Sequence, residues 1–289
     1  MNSFGGLFDS LKQLIVDSVV NVITNPETSV AGITDPLTQT AGGFSAESYQ
    51  MVANIAKTVI LPIAGVILTY VAVQELITMT TDRNNMHERD SWDIFLWIFK
   101  TSIAVLLVSN AFLITDEIIK AGTYIVLQAT PVINNPSPAE TTQNIADALM
   151  ELDMFSVAFV GIAFWASMVV YLVLKAIVIL IIITRFVEIY MYMSVSPIPY
   201  STFTSRELSG VGINYIKNII SLALQGIIIM ISVSIFSALR VTFAVKVVNP
   251  GDSSASLIWI AIQSLLLIGA LTLSVIKSRK IAQSIVDAH

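Results

Sequence analysis

Five long apolar runs alternate with polar segments along the chain. They cover about 51–76, 94–114, 154–183, 216–239 and 256–276. A helix rises about 1.5 Å per residue, and roughly 20 apolar residues cross the hydrocarbon core of a bilayer. The pattern therefore predicts an all-α, polytopic membrane protein with about five transmembrane helices.

The third run is the longest, because the apolar stretch that begins at Met154 continues to Val195. Lys175, Arg185 and Glu188 are embedded in it. Neither glycine nor proline lies near Lys175 to form a turn, so a split into two helices is disfavoured. We expect one overlong third helix that projects into the cytosol. Its end is assigned to a helix-ending motif made of Ser196, Pro197 and Pro199, with extended geometry before each proline.

The distribution of charge predicts the orientation of the chain. Residues 1–50 carry one lysine against five acidic residues, and residues 115–153 carry one lysine against six. The opposite helix ends carry basic residues, namely Arg83, Arg89, Arg185, Arg206, Lys217, Lys277, Arg279 and Lys280. The positive-inside rule places the N-terminus and the acidic loop outside and the C-terminus in the cytosol.

This orientation divides the chain into three parts. We expect an extracytoplasmic amphipathic helix and linker at 1–50, a multi-pass domain in the cytoplasmic (inner) membrane at 51–280 with an outer loop at 115–153, and a cytosolic tail at 281–289. The amphipathic helix covers about the first 24 residues and lies on the membrane surface or against a partner. Within the outer loop, Ser137 to Glu140 has the pattern of a capping box and predicts a short helix.

Composition agrees with a membrane protein. Hydrophobic residues make up 55% of the chain and charged residues 12%, and the mean hydropathy is +0.79. These values lie far from those of soluble domains. The chain has no cysteine, which excludes disulfides, thiolate metal sites and cysteine nucleophiles.

Polar residues within the third and fourth runs fall on narrow helical faces. In the third helix the face spans roughly 140° and contains Ser167, Tyr171, Lys175, Arg185, Glu188 and Tyr192. In the fourth helix it spans roughly 60° and contains Asn214, Asn218, Ser221, Gln225 and Ser232. Arg185 and Glu188 are three residues apart, so an ion pair between them is expected.

Two interpretations of these polar faces stay open. Asn, Gln and Ser hydrogen-bond between helices in membranes, so the faces serve helix packing in the first interpretation. In the second, some of these residues line an aqueous passage or the axis of an oligomer. Lys175 alone is typical of a residue whose ammonium reaches the membrane surface or pairs with an acid.

Sequence signatures of enzymes and cofactor sites are absent. The two histidines, His87 and His289, do not form a metal-binding motif, and there is no phosphate-binding glycine loop or nucleophile elbow. We therefore expect no catalytic residue, no metal and no cofactor, and any nucleotide energy has to come from a partner.

The predicted topology and one motif resemble a known family. The motif is RFVEIYMYMSVSPIP, from Arg185 to Pro199. Together with an external N-terminus and a long loop between spans two and three, it is similar to the TrbL-type polytopic subunit of conjugative type IV secretion systems. The resemblance covers roughly residues 50–280. It implies a channel or scaffold in the inner membrane that forms a homo-oligomer and assembles with other secretion subunits.

The resemblance also implies an energy source and a cargo. Separate cytosolic ATPases would drive transfer, and the cargo would be single-stranded DNA with an attached protein. The basic residues are dispersed and the net charge is −5, so any DNA contact would be transient. The alternatives are a secondary transporter or ion channel that uses the charged cluster of helix three, and a purely structural membrane anchor.

Overall fold

All the described elements are helices. The computed structural model describes residues 10, 12–17, 35–81, 91–133, 154–205, 207–247 and 254–286. After a 3-10 turn at Asp35–Thr38, the helices are α1 (Ala41–Phe44), α2 (Ala46–Ile55), α3 (Leu61–Thr81), α4 (Ser91–Ser109), α5 (Ala111–Ile133), α6 (Met154–Val195), α7 (Pro197–Tyr200), α8 (Ser209–Val247) and α9 (Ser254–Val286). The predicted all-α class is confirmed.

Three described helices are long and apolar enough to cross a membrane. They are Ala46–Thr81, Ser156–Val195 and Ser209–Phe236, and a bent pair, Ile94–Ser109 with Ala111–Ala129, makes four if it counts as one span. The chain is thus a polytopic membrane protein. The predicted fifth span lies within α9, and its passage through a membrane stays a prediction, as does the predicted orientation.

The second predicted span is not straight. Its two parts, α4 and α5, meet at Asn110 with a bend of 66°. The Asn110 side-chain amide donates to the carbonyl of Leu106 at 2.9 Å, the same carbonyl that accepts from the Asn110 backbone N–H. An asparagine that binds the preceding turn in this way competes with the helical ladder. The prediction of a loop from residue 115 is wrong over residues 115–133, which are helical, and the predicted capping box at Ser137–Glu140 lies outside the described residues.

The segment before the first span is partly folded, although the sequence indicates a linker. Thr40 caps α1 by accepting from the N–H of Gly43, and Ser45 caps α2 by accepting from the N–H of Ser48. Leu37 and Ala41 are fully buried. The polar Thr and Ser residues that suggested a linker therefore act as helix caps.

A wider π-helical turn, Ala56–Ile60, joins α2 to α3. Pro62 follows it and has no N–H to donate to the preceding turn. A π turn at such a position accommodates the ring without ending the helix. The first span thus continues from Ala46 to Thr81.

The helical residues form two compact units. One contains residues up to Leu37, Leu127–Ile182 and Ile228–Ser278, and the other contains Thr38–Val126, Ile183–Ile227 and the chain from Arg279 onward. In the first unit, residues 12–17 are helical, Val16 is buried and the Ile15 side chain lies over Gly161 of α6. The remainder of the predicted N-terminal amphipathic helix lies outside the described residues.

The overlong third helix is confirmed as α6, which runs unbroken from Met154 to Val195. It ends at Val195, two residues before Pro197, which agrees with the prediction that the prolines end the helix. The expectation of extended geometry is wrong at Ser196, which has φ −50° and ψ −38°. Its hydroxyl donates to the carbonyl of Met193 at 2.9 Å and Pro197 opens α7, a position where a proline needs no N–H partner.

Candidate functional site

Arg185 is buried against α8 in the second unit. Its side chain is 2% exposed, and Nε donates to the backbone carbonyl of Leu222 at 3.0 Å. The guanidinium lies against Gly226, where a Cβ atom would come within 2.8 Å of Nη2 and 2.9 Å of Cζ. Only glycine leaves room for the guanidinium at this position. We call this set of three residues, Arg185, Leu222 and Gly226, the Arg185 junction.

Glu188 does not pair with Arg185, so the predicted ion pair is wrong. Its carboxylate instead pairs with the guanidinium of Arg279 near the end of α9. The two side chains are 32% and 23% exposed, respectively. The error has a physical cause: residues three apart on a helix are close enough to pair, but a packed neighbouring helix offers each of them a different partner. The motif thus connects α6 to α8 through Arg185 and to α9 through Glu188.

Tyrosines of the motif add further contacts. The hydroxyl of Tyr190 donates to the carbonyl of Ala41 at 2.7 Å, and the ring of Phe44 stacks on Phe186 with centroids 4.0 Å apart. The hydroxyl of Tyr215 on α8 donates to the carbonyl of Tyr192 at 2.8 Å. The C-terminal part of α6 is therefore held by the segment before the first span as well as by α8.

The proline turn after α6 packs into the same unit. α7 contacts α3, α4 and the π turn. Tyr200 is 1% exposed, and its ring lies edge-on to those of Phe203 and Tyr215, with centroids 5.6 and 5.7 Å away. Burial raises the pKa of the Tyr200 phenol above its ordinary value. Ser196, Pro197 and Pro199 thus belong to a packed turn, and Gly212 approaches the carbonyl of Pro199 so closely that a Cβ there would lie 2.8 Å away.

The polar face of α8 is exposed at one end and buried further along. Asn214 is exposed and Asn218 is half-buried, with its amide donating to the carbonyl of Asn214 at 3.0 Å. Ser221 and Gln225 are buried, and among the described residues neither Ser221 Oγ nor Gln225 Oε1 has a hydrogen-bond partner. Ser232 is half-buried and bonds to the carbonyl of Ile228.

The polar face predicted for the N-terminal part of α6 is not brought into the Arg185 junction. Tyr171 and Lys175 are half-buried residues of the first unit. The side chain of Ser167 lies outside the described residues. Lys175 precedes Arg185 by ten positions, about 15 Å along the helix, and is therefore too far away to join the contacts of the motif.

A polar cluster on α5 was missed by the sequence analysis. The Asp116 side chain is 1% exposed, and its Oδ2 accepts from the Tyr49 hydroxyl and from Lys120 Nζ, each at 2.9 Å. Lys120 also pairs with Glu117 at 2.8 Å. The spacing of an acid and a lysine at i and i+4 was the available signal, and assigning residue 115 onward to a loop concealed it.

The contacts of the motif hold helices together. Burial lowers the pKa of Arg279 from its ordinary value, and the adjacent Glu188 carboxylate offers the charged guanidinium a partner. Within the described residues, no three histidine or acidic side chains come together in a group that would hold a metal ion. The buried Arg185 junction and the partly exposed Glu188–Arg279 pair instead join three helices through polar contacts.

Comparison with known proteins identifies a family. The family model described as TrbL/VirB6 plasmid conjugal transfer like protein matches residues 27–197, more than half of the chain. The match includes α6 with Arg185 and Glu188 and ends at Pro197. No curated protein and no solved structure matches the chain. The chain belongs to the TrbL/VirB6 plasmid conjugal transfer-like family.

Proposed function

We propose that this protein is the channel or scaffold subunit of a conjugative type IV secretion system in the cytoplasmic membrane. In this role it supports the transfer of single-stranded DNA with an attached protein. It acts as a homo-oligomer, assembles with other secretion subunits and depends on separate cytosolic ATPases. Family membership supports the coarser role of a membrane subunit in a conjugal transfer system.

The Arg185 junction is the observation that carries the scaffold role. A buried guanidinium is costly in a membrane unless it is engaged by protein groups. Here it binds the carbonyl of Leu222 and fits the space left by Gly226. Such a contact fixes the position of α6 against α8 in the second unit, as a framework subunit requires.

If this chain lines a passage, the exposed end of the α8 polar face would form part of its wall. Asn214 is open to the surroundings, whereas Ser221 and Gln225 are buried within the chain. Copies of the protein that meet along Asn214 and Asn218 would bring amides to a shared axis. Contacts with transferring DNA would then be transient, because this face carries no cationic groups other than Lys217 beside it.

The contacts also favour this role over the transporter alternative. A transporter would keep Arg185 or Glu188 available to bind a substrate or a coupling ion. In the second unit Arg185 is sequestered by α8, and Glu188 pairs with Arg279. Charges engaged in this way stabilise helix packing.

The proposal is tested by conjugative transfer from cells that lack the gene and are complemented with the intact chain. Photocrosslinkable residues placed at Asn214, Asn218, Ser221 and Gln225 would report contact with the transferring strand. We expect transfer to require the chain, with crosslinks confined to Asn214 and Asn218.

The other outcomes separate the alternatives. Lost transfer without any crosslink would support a scaffold that does not touch DNA. Crosslinks at Ser221 and Gln225 would mean that the buried part of the face opens during transfer. Normal transfer without the chain would exclude the proposed role.

A further inference from the structure

Helix α2 buries little of its own surface against the second unit. Among its ten residues, Ala46–Ile55, the buried side chain is that of Val52, whereas Glu47 and Gln50 are exposed. Segments with few buried apolar side chains open at the lowest free-energy cost in a folded protein. α2 is therefore suited to local movement.

Each end of α2 has a backbone feature that permits such a movement. At its start, Ser45 is extended, with φ −153° and ψ 103°, and separates α2 from α1. At its end, the π turn Ala56–Ile60 interrupts the α-helical ladder before α3. Helices bend at π turns, which frequently lie at functional positions. α1 itself is held on α6, because the Ala41 carbonyl accepts from the Tyr190 hydroxyl.

Tyr49 fastens α2 to α5. Its hydroxyl donates to Asp116 Oδ2 at 2.9 Å, and its ring lies edge-on to that of Phe112 with centroids 5.5 Å apart. We call the Tyr49–Asp116 hydrogen bond the latch. Tyr49 is half-buried, so water reaches the edge of this contact. α5 is fixed to α8, where Gly122 leaves no room for a Cβ atom beside Ala223, so α2 is the part that moves when the latch breaks.

The latch leaves one oxygen of the carboxylate without a bond. The Asp116 side chain is 1% exposed, and among the described residues its Oδ1 has no hydrogen-bond partner. Breaking the latch loses a strong hydrogen bond to a carboxylate, but it also lets water reach this buried oxygen. Lys120, which is partly exposed, pairs with the same carboxylate and compensates its charge in both forms. Since the gain opposes the loss, the closed and open forms are close in free energy.

We propose that α2 swings away from α5 when the latch breaks, and that DNA transfer requires this open form. The second part rests on the proposed function, because a subunit that lets a hydrophilic cargo pass has to expose polar groups that are sealed at rest. In the closed form, Asp116 and Val52 are buried. In the open form, the carboxylate side of α5 contacts water, while the Arg185 junction between α6 and α8 stays in place.

Thiol labelling of a single cysteine measures the opening directly. Val52→Cys places a thiol of similar size on the buried side of α2, and the chain has no other cysteine. The full chain in membrane vesicles would be treated with N-ethylmaleimide, whose rate of reaction with a buried thiol follows the open population. Tyr49→Phe keeps the ring beside Phe112 but removes the latch. We expect about tenfold faster labelling, the factor that a hydrogen bond to a charged group contributes.

Two further variants assign this increase to the latch. Tyr70→Phe is the matched control, because Tyr70 is exposed on α3, and it should leave the labelling rate unchanged. Asp116→Asn keeps an oxygen that accepts from Tyr49, so it should raise the rate less than Tyr49→Phe does. Equal labelling rates in Tyr49→Phe and Tyr70→Phe would overturn the latch.

A reversible crosslink tests whether transfer needs the open form. Tyr49→Cys with Phe112→Cys places two thiols between α2 and α5, and a short bis-methanethiosulfonate joins them through disulfides that dithiothreitol cleaves. We expect transfer to fall at least tenfold on crosslinking and to recover on reduction. The control pair is Tyr192→Cys with Tyr215→Cys, whose rings lie 5.8 Å apart between α6 and α8. Its crosslink should leave transfer unchanged, because these two helices do not separate.

The outcomes distinguish this proposal from the proposed function. Normal transfer with α2 crosslinked to α5 would overturn the required opening, and so would an equal loss of transfer for both crosslinked pairs. Each pair is also measured before crosslinking, which separates the effect of the cysteines from that of the crosslink. Normal transfer by cells without the gene would contradict the proposed function, whereas the labelling experiment needs no transfer and tests the latch alone.

Discussion

The two halves of α6 use similar apolar residues in different ways. From Met154 to Ile182 the helix is largely exposed, and the described side chains that are fully buried are Val157, Val178 and Ile182. From Ile183 to Val195, exposed large apolar residues form one stripe at every fourth position: Ile183, Val187, Met191 and Val195. Elsewhere on this second half, the buried Arg185, Phe186 and Tyr190 have specific partners.

The difference shows what hydropathy alone specifies. In the first half, a lipid-facing position accepts an apolar side chain of any shape, so many sequences are compatible with this part of the helix. In the second half Arg185 needs the space at Gly226, and Tyr190 needs the carbonyl of Ala41. Substitutions there should have larger effects than substitutions of equal size in the first half.

The largest effect is expected for Gly226→Ala. The added methyl group would meet the guanidinium of Arg185 and displace it from the carbonyl of Leu222. Overpacking of this kind costs about 1–3 kcal/mol. The measurement is thermal unfolding in detergent, with conjugative transfer as a second readout.

Gly65→Ala is the matched control, because a Cβ at Gly65 meets no atom within 4 Å. Alanine there should increase stability by up to about 1 kcal/mol through helix propensity. Gly161→Ala, in the first half of α6, should cost less than Gly226→Ala because the new methyl group would meet one methyl group of Ile15. Equal losses for Gly226→Ala and Gly161→Ala would contradict the comparison.

A smaller effect is expected for Glu188→Gln. The substitution removes the charge that pairs with Arg279, and because both side chains are partly exposed the loss should be about 1 kcal/mol or less. Arg279→Gln should cost a similar amount, and the double variant should cost less than the sum of the two. Strict additivity in this cycle, measured by unfolding, would show that the pair contributes nothing.

The smallest effect is expected for Lys175→Gln in the first half of α6. This substitution also removes one charge from the helix, so it is the counterpart of Glu188→Gln. A lysine whose ammonium reaches the membrane surface contributes little to folding, and the change in stability should stay within about 0.5 kcal/mol. A larger loss than for Glu188→Gln would show that Lys175 has a buried partner.

The sequence predicted the features that depend on local pattern. The length of α6, its end at Val195 and the polar face of α8 follow from hydropathy, from proline chemistry and from helical periodicity. The sequence pattern did not predict which distant groups the charged side chains contact. Glu188 pairs with a residue 91 positions away, and Arg185 binds a backbone carbonyl, which has no signature in the sequence.

Other misses also have physical causes. The bend lies at Asn110, whose side chain bonds to the preceding turn, within an apolar run whose hydropathy indicates a continuous span. The polar residues before the first span indicate a loop by composition, although Thr40 and Ser45 cap helices that pack beneath Tyr190. Hydropathy and composition do not reveal which hydrogen bonds a polar side chain makes.

The central claim is that the second half of α6 and the facing part of α8 are buried against each other. Single-cysteine labelling along α8 tests it. The chain has no cysteine, so each variant carries one reactive thiol. Cells engaged in transfer would be treated with N-ethylmaleimide, which crosses the membrane and reacts with thiols in contact with water, after replacement of Asn214, Ser221 or Gln225 by cysteine. The account predicts rapid labelling at Asn214 and none at Ser221 or Gln225, whereas equally rapid labelling at all three would contradict it.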